Sequence, residues 1–132
     1  MIPTSAILRI ARPTDNLKQI TQMYMDGLGF KLLGSFEQHN DFDGSIIGHE
    51  KHNYHLEFTH HRGIVVGRAP TQDNLLVFYF SEPQVWEACC DKMLAAGFEL
   101  VKSYNDYWDQ LGKTLEDIDG YRVVLQNREW SV

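Results

Sequence analysis

Apolar positions along this chain alternate between a strand-like and a helix-like period, twice over and in the same order. Ala6 to Ala11 is apolar except for Arg9 and predicts a short strand. Pro13-Thr14-Asp15 interrupts it, and Thr14 or Asp15 is placed to cap a helix by accepting a hydrogen bond from an unpaired backbone N–H. Leu17, Ile20, Tyr24 and Leu28 then recur at three- and four-residue spacing, the apolar face of a helix. Gly27 and Gly29 bracket its end, where a left-handed cap is easiest without a side chain. Lys31 to Phe36, Ser45 to His49 and Tyr54 to Thr59 read as strands, with turns at Asp43-Gly44 and His52-Asn53.

Residues 62–73 carry two glycines and Pro70 without a clear period and read as a linker. Beyond them the order returns. Leu75 to Phe80 is a strand, and Glu82-Pro83 opens a helix with Val85, Trp86, Cys89, Met93 and Leu94 at helical spacing, ended by Gly97. Phe98 to Tyr104, Thr114 to Ile118 and Tyr121 to Gln126 are strands, with a tight turn at Asp119-Gly120. The halves also match as strings. Gly29-Phe30-Lys31-Leu32-Leu33-Gly34-Ser35-Phe36 returns as Gly97-Phe98-Glu99-Leu100-Val101-Lys102-Ser103-Tyr104. Asn53 to Phe58 matches Gly120 to Leu125 in pattern, and both offsets are about 67–68 residues, half the chain. The pattern predicts β-α-β-β-β twice in one domain: a module at 1–61, the linker at 62–73 and a module at 74–132. Paired units of this kind are expected to hold a ligand where they meet.

Composition narrows the function. Apolar residues are 43% of the chain and charged residues 23%, ordinary for a globular domain, and the formal net charge is −6. That charge argues against nonspecific nucleic-acid binding, which needs a basic surface to displace counterions. Cys89 and Cys90 are adjacent in a helical pattern, where side chains diverge by about 100°, so a disulfide between them is not expected. Free thiols suit a reducing cytoplasm. The first residues lack a basic start followed by an apolar run, and no stretch approaches the ~20 apolar residues of a membrane span.

Tyr24-Met25-Asp26-Gly27-Leu28-Gly29-Phe30 and Glu116-Asp117-Ile118-Asp119-Gly120-Tyr121-Arg122 together resemble two motifs of the vicinal oxygen chelate superfamily. That group holds glyoxalase I, bleomycin-resistance proteins and extradiol dioxygenases. The motif beginning at Tyr24 resembles the group's helix ending. The motif beginning at Glu116 resembles its Asp-Pro-Asp-Gly turn before the last strand, with Ile118 where Pro is usual. The resemblance implies an α+β fold of two βαβββ modules, curled as mixed sheets into a half-barrel around a central cleft, and often a homodimer. It also implies four metal-ligand positions, which fall on Ser5, Glu57, Leu75 (or Asn74, one residue out of register) and Val124. Of these only Glu57 is a strong ligand type, and Leu and Val offer a cation no lone pair. No resident metal is therefore expected. If one binds, His55 and Glu57 are its nucleus, with His39 as a third donor.

Strand alternation places His55 and Thr59 beside Glu57, Arg122 and Gln126 beside Val124, Ile7 and Arg9 beside Ser5, and Val77 and Tyr79 beside Leu75. By resemblance Arg9 contacts an anionic group of the ligand; the competing reading is an Arg9–Glu57 or Arg122–Glu57 ion pair within the cleft. Tyr107 and Trp108 sit between two strands of the second module, either as a lid that stacks on a ligand or as a cover for the core edge or a dimer interface. The expected ligand contacts are thus Arg9, His55, Glu57, Tyr79, Tyr107, Trp108, Arg122 and Gln126. The function they point to is binding of a small organic molecule, aromatic or anionic, as in bleomycin-resistance-like proteins. The alternatives are a metal-dependent lyase or dioxygenase with a rearranged site on His55 and Glu57, and an interaction module whose cleft is plugged by its own side chains.

Overall fold

A computed structural model describes residues 1–131; Val132, the last residue of the second module, lies outside the described residues. The first module runs β1 (Leu8–Pro13), α1 (Leu17–Leu28), β2 (Lys31–His39), β3 (Phe42–Gly48) and β4 (Tyr54–His61). The second runs β5 (Leu75–Tyr79), α2 (Pro83–Ala95), β6 (Glu99–Val101), the one-turn α3 (Tyr107–Gln110), β7 (Gly112–Glu116) and β8 (Arg122–Gln126). Each module forms a four-stranded mixed sheet, in the orders β1-β4-β3-β2 and β5-β8-β7-β6. In each the first strand pairs parallel with the last, and the other pairings are antiparallel. The expected pair of βαβββ modules is present as two open sheets, with no closed barrel.

The helix of each module covers one face of its sheet. Ile20, Met23, Tyr24 and Gly27 are the fully buried positions of α1, the i, i+3, i+4, i+7 stripe of an amphipathic helix. They meet Ile47, Leu56 and Phe58 of the sheet below, while Cys90 and Met93 of α2 meet Leu115, Val123 and Leu125. One core serves both modules. The Tyr24 ring lies 5.0 Å from Phe58 of its own module and 5.1 Å, edge-on, from Phe98 of the other. Gly27 is where the helices approach: a methyl there would sit 2.7 Å from Met93 Sδ and 3.1 Å from the Phe98 ring. The left-handed cap falls on Gly29 alone, at φ 71°.

Several sequence expectations change in detail. Strand β1 begins at Leu8, so Ser5 stands in an exposed turn and Ile7 precedes the sheet. Neither Thr14 nor Asp15 caps α1, which starts after Asn16 without a side-chain cap. Thr14 Oγ1 instead accepts from Asn16 N and donates to Asp119 Oδ2 at 2.6 Å. Asp15 accepts from Val66 N and Gly67 N, which ties the intervening segment to the first module and holds the Asp15 carboxyl below its ordinary pKa. The strand expected over 98–104 stops at Val101. Beyond it Ser103 turns inward onto Thr114, and the chain leaves the sheet to form α3. Val85 and Leu94, expected on the inner stripe of α2, are exposed.

The turn between β7 and β8 has a structural task. Asp117 Oδ1 accepts from the backbone N–H of Asp119 and Tyr121, shaping a loop in which Gly120 takes φ 88°. Its Oδ2 accepts from the buried Tyr24 hydroxyl at 2.7 Å, and Arg12 donates to the same hydroxyl at 3.2 Å. The Arg12 guanidinium also stacks over the Tyr121 ring at 4.4 Å. Asn16 donates to Asp119 Oδ1, and Arg68 donates to Ile118 O. This acidic turn clasps the second module to the first. Burial pushes the Asp117 carboxyl above its ordinary pKa, against the lowering effect of the Tyr24 hydroxyl and the two backbone N–H groups. Burial and the Asp117 charge likewise push the Tyr24 phenol up.

Candidate functional site

The face of the first sheet away from α1 carries the polar cluster. Parallel pairing sets Arg9 opposite His55 and Ala11 opposite Glu57, so side chains of the same parity share this face. Arg9 Nε donates to His55 Nε2 at 2.9 Å, and Arg9 Nη1 approaches Glu57 Oε2 at 3.4 Å. In that ring the Nε2 lone pair is occupied, which leaves the proton on Nδ1. The Arg9 side chain is 48% exposed and that of Glu57 15%. The Arg9–Glu57 ion pair of the competing reading is therefore present, and Arg9 is not an unbalanced cation awaiting an anion.

The β2–β3 hairpin completes this face. Gly48 lies opposite His55, Ile46 opposite Glu57 and Gly44 opposite Thr59. Phe36 pairs with Gly44, and its ring occupies the space a side chain there would fill. Leu33 reaches over Gly48. On this face Arg9, His55 and Glu57 lie along one side and Leu33, Ile46 and Phe36 along the other. Sequence reasoning passed over these hairpin residues. The alternation Gly44, Ile46, Gly48 was the signal available for them.

The corresponding face of the second sheet is arranged differently. Arg122, Val124 and Gln126 share it and are all buried, Val124 and Gln126 completely. Arg122 donates to Glu116 Oε1 at 3.2 Å and to Lys102 O at 3.3 Å, so its guanidinium is engaged within its own module. Gln126 Nε2 donates to Trp108 O at 2.9 Å. The segment carrying α3 thus crosses the face and closes it. Tyr79, at the rim, packs at a tilt against Trp130 at 5.7 Å, and Tyr107 accepts a hydrogen bond from Arg128 and meets Trp108 edge-on at 5.1 Å. Tyr79, Tyr107, Arg128 and Trp130 line a cavity of about 130 Å³.

Of the eight expected contacts, the structure brings Arg9, His55 and Glu57 together on one open face. Tyr79, Tyr107, Trp108, Arg122 and Gln126 are gathered on the other sheet, and among the described residues no hydrogen bond joins the two sets. His39 is not a third donor to His55. It lies level with Phe42 and His61, six residues along the strand from the level of His55 and Gly48, about 20 Å away, and it packs edge-on against Phe36. Among the described residues no three His, Cys, Asp or Glu side chains converge as a metal would require. Cys89 and Cys90 are free, and burial raises both thiols, Cys90 to about 11, which makes them poor nucleophiles. Among the described residues no helix is long and apolar enough to cross a membrane.

Comparison with known proteins places this arrangement. Residues 8–59 match the YycE-like N-terminal domain and residues 73–127 the YycE-like C-terminal domain. The YycE protein of Bacillus subtilis, itself of unknown function, is 42% identical over 123 residues, 93% of this chain and 88% of that one. Its solved structure superposes with a TM-score of 0.87 at 41% identity, covering 96% of this chain and 93% of the other. More distant structures share the fold. The trypanothione-dependent glyoxalase I of Leishmania major gives a TM-score of 0.70 at 16% identity over 92% and 85% of the two chains. TnmS3, an antibiotic binding protein from Streptomyces, gives 0.66 at 14% over 98% and 100%. The two matched domains, the B. subtilis relative and the paired βαβββ modules together show that the chain belongs to the YycE-like family of the vicinal oxygen chelate superfamily.

Proposed function

We propose that this protein binds a small organic molecule on the polar face of the first module and does so without a resident metal. The observation that carries this reading is the open, balanced trio on that face. Arg9 and Glu57 neutralise each other, and His55 offers an N–H. Such a surface suits a neutral or zwitterionic molecule with a polar edge and a flat apolar body lying over Leu33, Ile46 and Phe36. TnmS3, of the same fold, is described as an antibiotic binding protein, which supports binding as a task for this architecture.

The metal that the superfamily usually holds does not fit the donors present. Leu75 and Val124 have no lone pair, and Ser5 is in a turn outside the sheet. Glu57 is paired with Arg9, and the His55 Nε2 lone pair is occupied by the same guanidinium. The lyase or dioxygenase reading needs at least one of these interactions to break. Exposed apolar side chains at both edges of the first sheet, Ile7 and Leu8 at one and Leu32 and Leu33 at the other, each 42–60% exposed, support a homodimer as the working form.

The test is metal content after purification without a His tag, and again after incubation with Ni, Zn, Mn or Fe(II) and gel filtration. The binding reading expects well below one metal per chain in every case. One metal per chain, lost in Glu57→Ala, would overturn it in favour of the enzyme. A thermal-shift screen of small molecules, repeated on Arg9→Ala, then identifies the ligand.

A further inference from the structure

Gln126 points to a second site. It is completely buried on the inner face of β8, and among the described residues its Oε1 is the buried side-chain polar atom without a hydrogen-bond partner. A buried acceptor left unpaired is costly, and natural structures keep few of them. The cover over it is slight. Residues 104–111 are exposed throughout except for Trp108, which is half-buried, and α3 is a single turn with no buried residue.

The cover is held at a few points. Asp109 accepts from Ser103 N at 3.1 Å, Gln126 Nε2 donates to Trp108 O, Asn127 N donates to Leu111 O, and Arg128 donates to the Tyr107 hydroxyl. Its ends are firmer. Ser103 is buried and bonded to Thr114, and Gly112 is paired with Gln126 in the sheet. A segment with fixed ends, little buried apolar surface and few polar ties opens at a fraction of the free energy of unfolding the sheet beneath it.

We infer that residues 104–111 form a hinged strap over a cryptic binding site on the second module, with Gln126 Oε1 as its hydrogen-bond acceptor. The floor the strap uncovers is Val124, Thr114 and Gln126. It carries no free charge, because Arg122 is paired with Glu116 and bonded to Lys102 O. The ligand class follows: an uncharged molecule with an N–H or O–H for Gln126 Oε1 and an apolar body for Val124, such as a simple aromatic amide. This site is separate from the charged face of the first module and does not depend on it.

The experiment is an NMR titration of the whole protein with benzamide, comparing wild type, Asp109→Ala and Gln126→Leu. Asp109→Ala removes a tie of the strap and leaves the floor unchanged. When a competent state is only fractionally populated, apparent affinity rises with that fraction, so Asp109→Ala is expected to bind benzamide at least about 5-fold more tightly than wild type. Gln126→Leu is expected to weaken binding at least about 10-fold, with the shifts at Thr114 and Val124 lost. Equal or weaker binding by Asp109→Ala overturns the strap. Perturbations confined to Arg9, His55 and Glu57, or no saturable binding by any variant, overturn the site. Amide exchange in the free protein gives a ligand-independent check. Ser103, Trp108, Asp109 and Asn127 are expected to share one opening rate, faster than that of Val123 and Leu125. If those four exchange only as fast as β8, the strap does not open by itself.

Discussion

The two modules share strand order and pairing, yet Glu57 keeps 15% of its side chain exposed while Val124, its counterpart on the last strand of the second sheet, is fully buried. In the first module the β2–β3 hairpin runs long, through nine and seven residues, and no segment crosses back over the Arg9, His55 and Glu57 side of its face. In the second the equivalent hairpin is cut short. Strand β6 ends after three residues, and the chain it releases folds back as α3 over its own sheet. A repeated fold thus gives one open polar face and one closed face, and the difference comes from a connection rather than from the framework.

The most severe way to break this comparison is to exchange the residues at the matching position. Val124→Glu restores the residue type the superfamily usually has there, but places a carboxylate in a fully covered space. At neutral pH the variant is expected to lose about 3–5 kcal/mol of stability, as for a buried charge left without a partner. Burial raises the folded-state pKa of such a group above its unfolded value. The penalty is therefore smallest below the unfolded pKa and grows as pH rises toward the folded pKa. Denaturant melts at pH 4 and pH 7 check this, and equal losses at both would mean that the face is wetter than described. Glu57→Val, the reciprocal change, is expected to stay within about 1 kcal/mol of wild type.

Glycines sharpen the same contrast at smaller cost. A methyl at Gly112 would overlap Gln126 Nε2 and come within 2.6 Å of the Leu125 carbonyl, a backbone atom that cannot turn aside. Gly112→Ala is expected to destabilise by about 2–3 kcal/mol. At Gly34, on the open module, the same methyl would meet only Ile46 Cδ1, at an ordinary 3.8 Å. Gly34→Ala is expected to change stability by less than about 1 kcal/mol, or to raise it by restricting the unfolded chain. Chemical denaturation of the two variants side by side decides whether open and closed describe the faces correctly.

The clasp between modules gives a pH signature. Burial raises the Asp117 carboxyl in the folded protein. Its contribution is then fullest below the ordinary carboxylate pKa and declines as pH rises through the raised folded value. Asp117→Asn keeps an acceptor for the Asp119 and Tyr121 N–H groups and removes the titration. Relative to wild type it is expected to fare worst at about pH 4 and to gain as pH rises toward 7. A stability difference that does not vary with pH would show that Asp117 carries no such linkage.

These contrasts also mark what the chain made legible. The repeat of βαβββ was visible because apolar period and turn chemistry agree in both halves, and Arg9, His55 and Glu57 could be grouped because alternation holds wherever a strand is regular. The strap was legible in part: Tyr107 and Trp108 read as a lid or a cover for the core edge, but the point where the segment leaves the sheet was not legible. Phe98 to Tyr104 has the composition of a strand, and only the inward turn of Ser103 onto Thr114 ends it early. The clasp was missed for a related reason. Asp117 and Asp119 read as turn residues, which they are, but their partners Tyr24, Thr14 and Asn16 lie about a hundred residues away in sequence, beyond the reach of any local period.

The smallest expected effect on stability is the most informative for function. Arg9 and Arg122 occupy inner faces of equivalent sheets and both pair with a glutamate, but the Arg9 side chain is 48% exposed and that of Arg122 7%. An ion pair in the open is worth about 0–1 kcal/mol, so Arg9→Ala is expected to melt within about 4 °C of wild type. It would nevertheless free the His55 ring nitrogen and leave Glu57 without its cation. If the polar face of the first module is the binding surface, ligand stabilisation measured by thermal shift disappears in Arg9→Ala while the unliganded melting temperature moves little. If Arg9→Ala instead acquires a stoichiometric divalent metal that wild type does not take up, now that His55 and Glu57 are released together, then Arg9 is what keeps a metal from those two side chains.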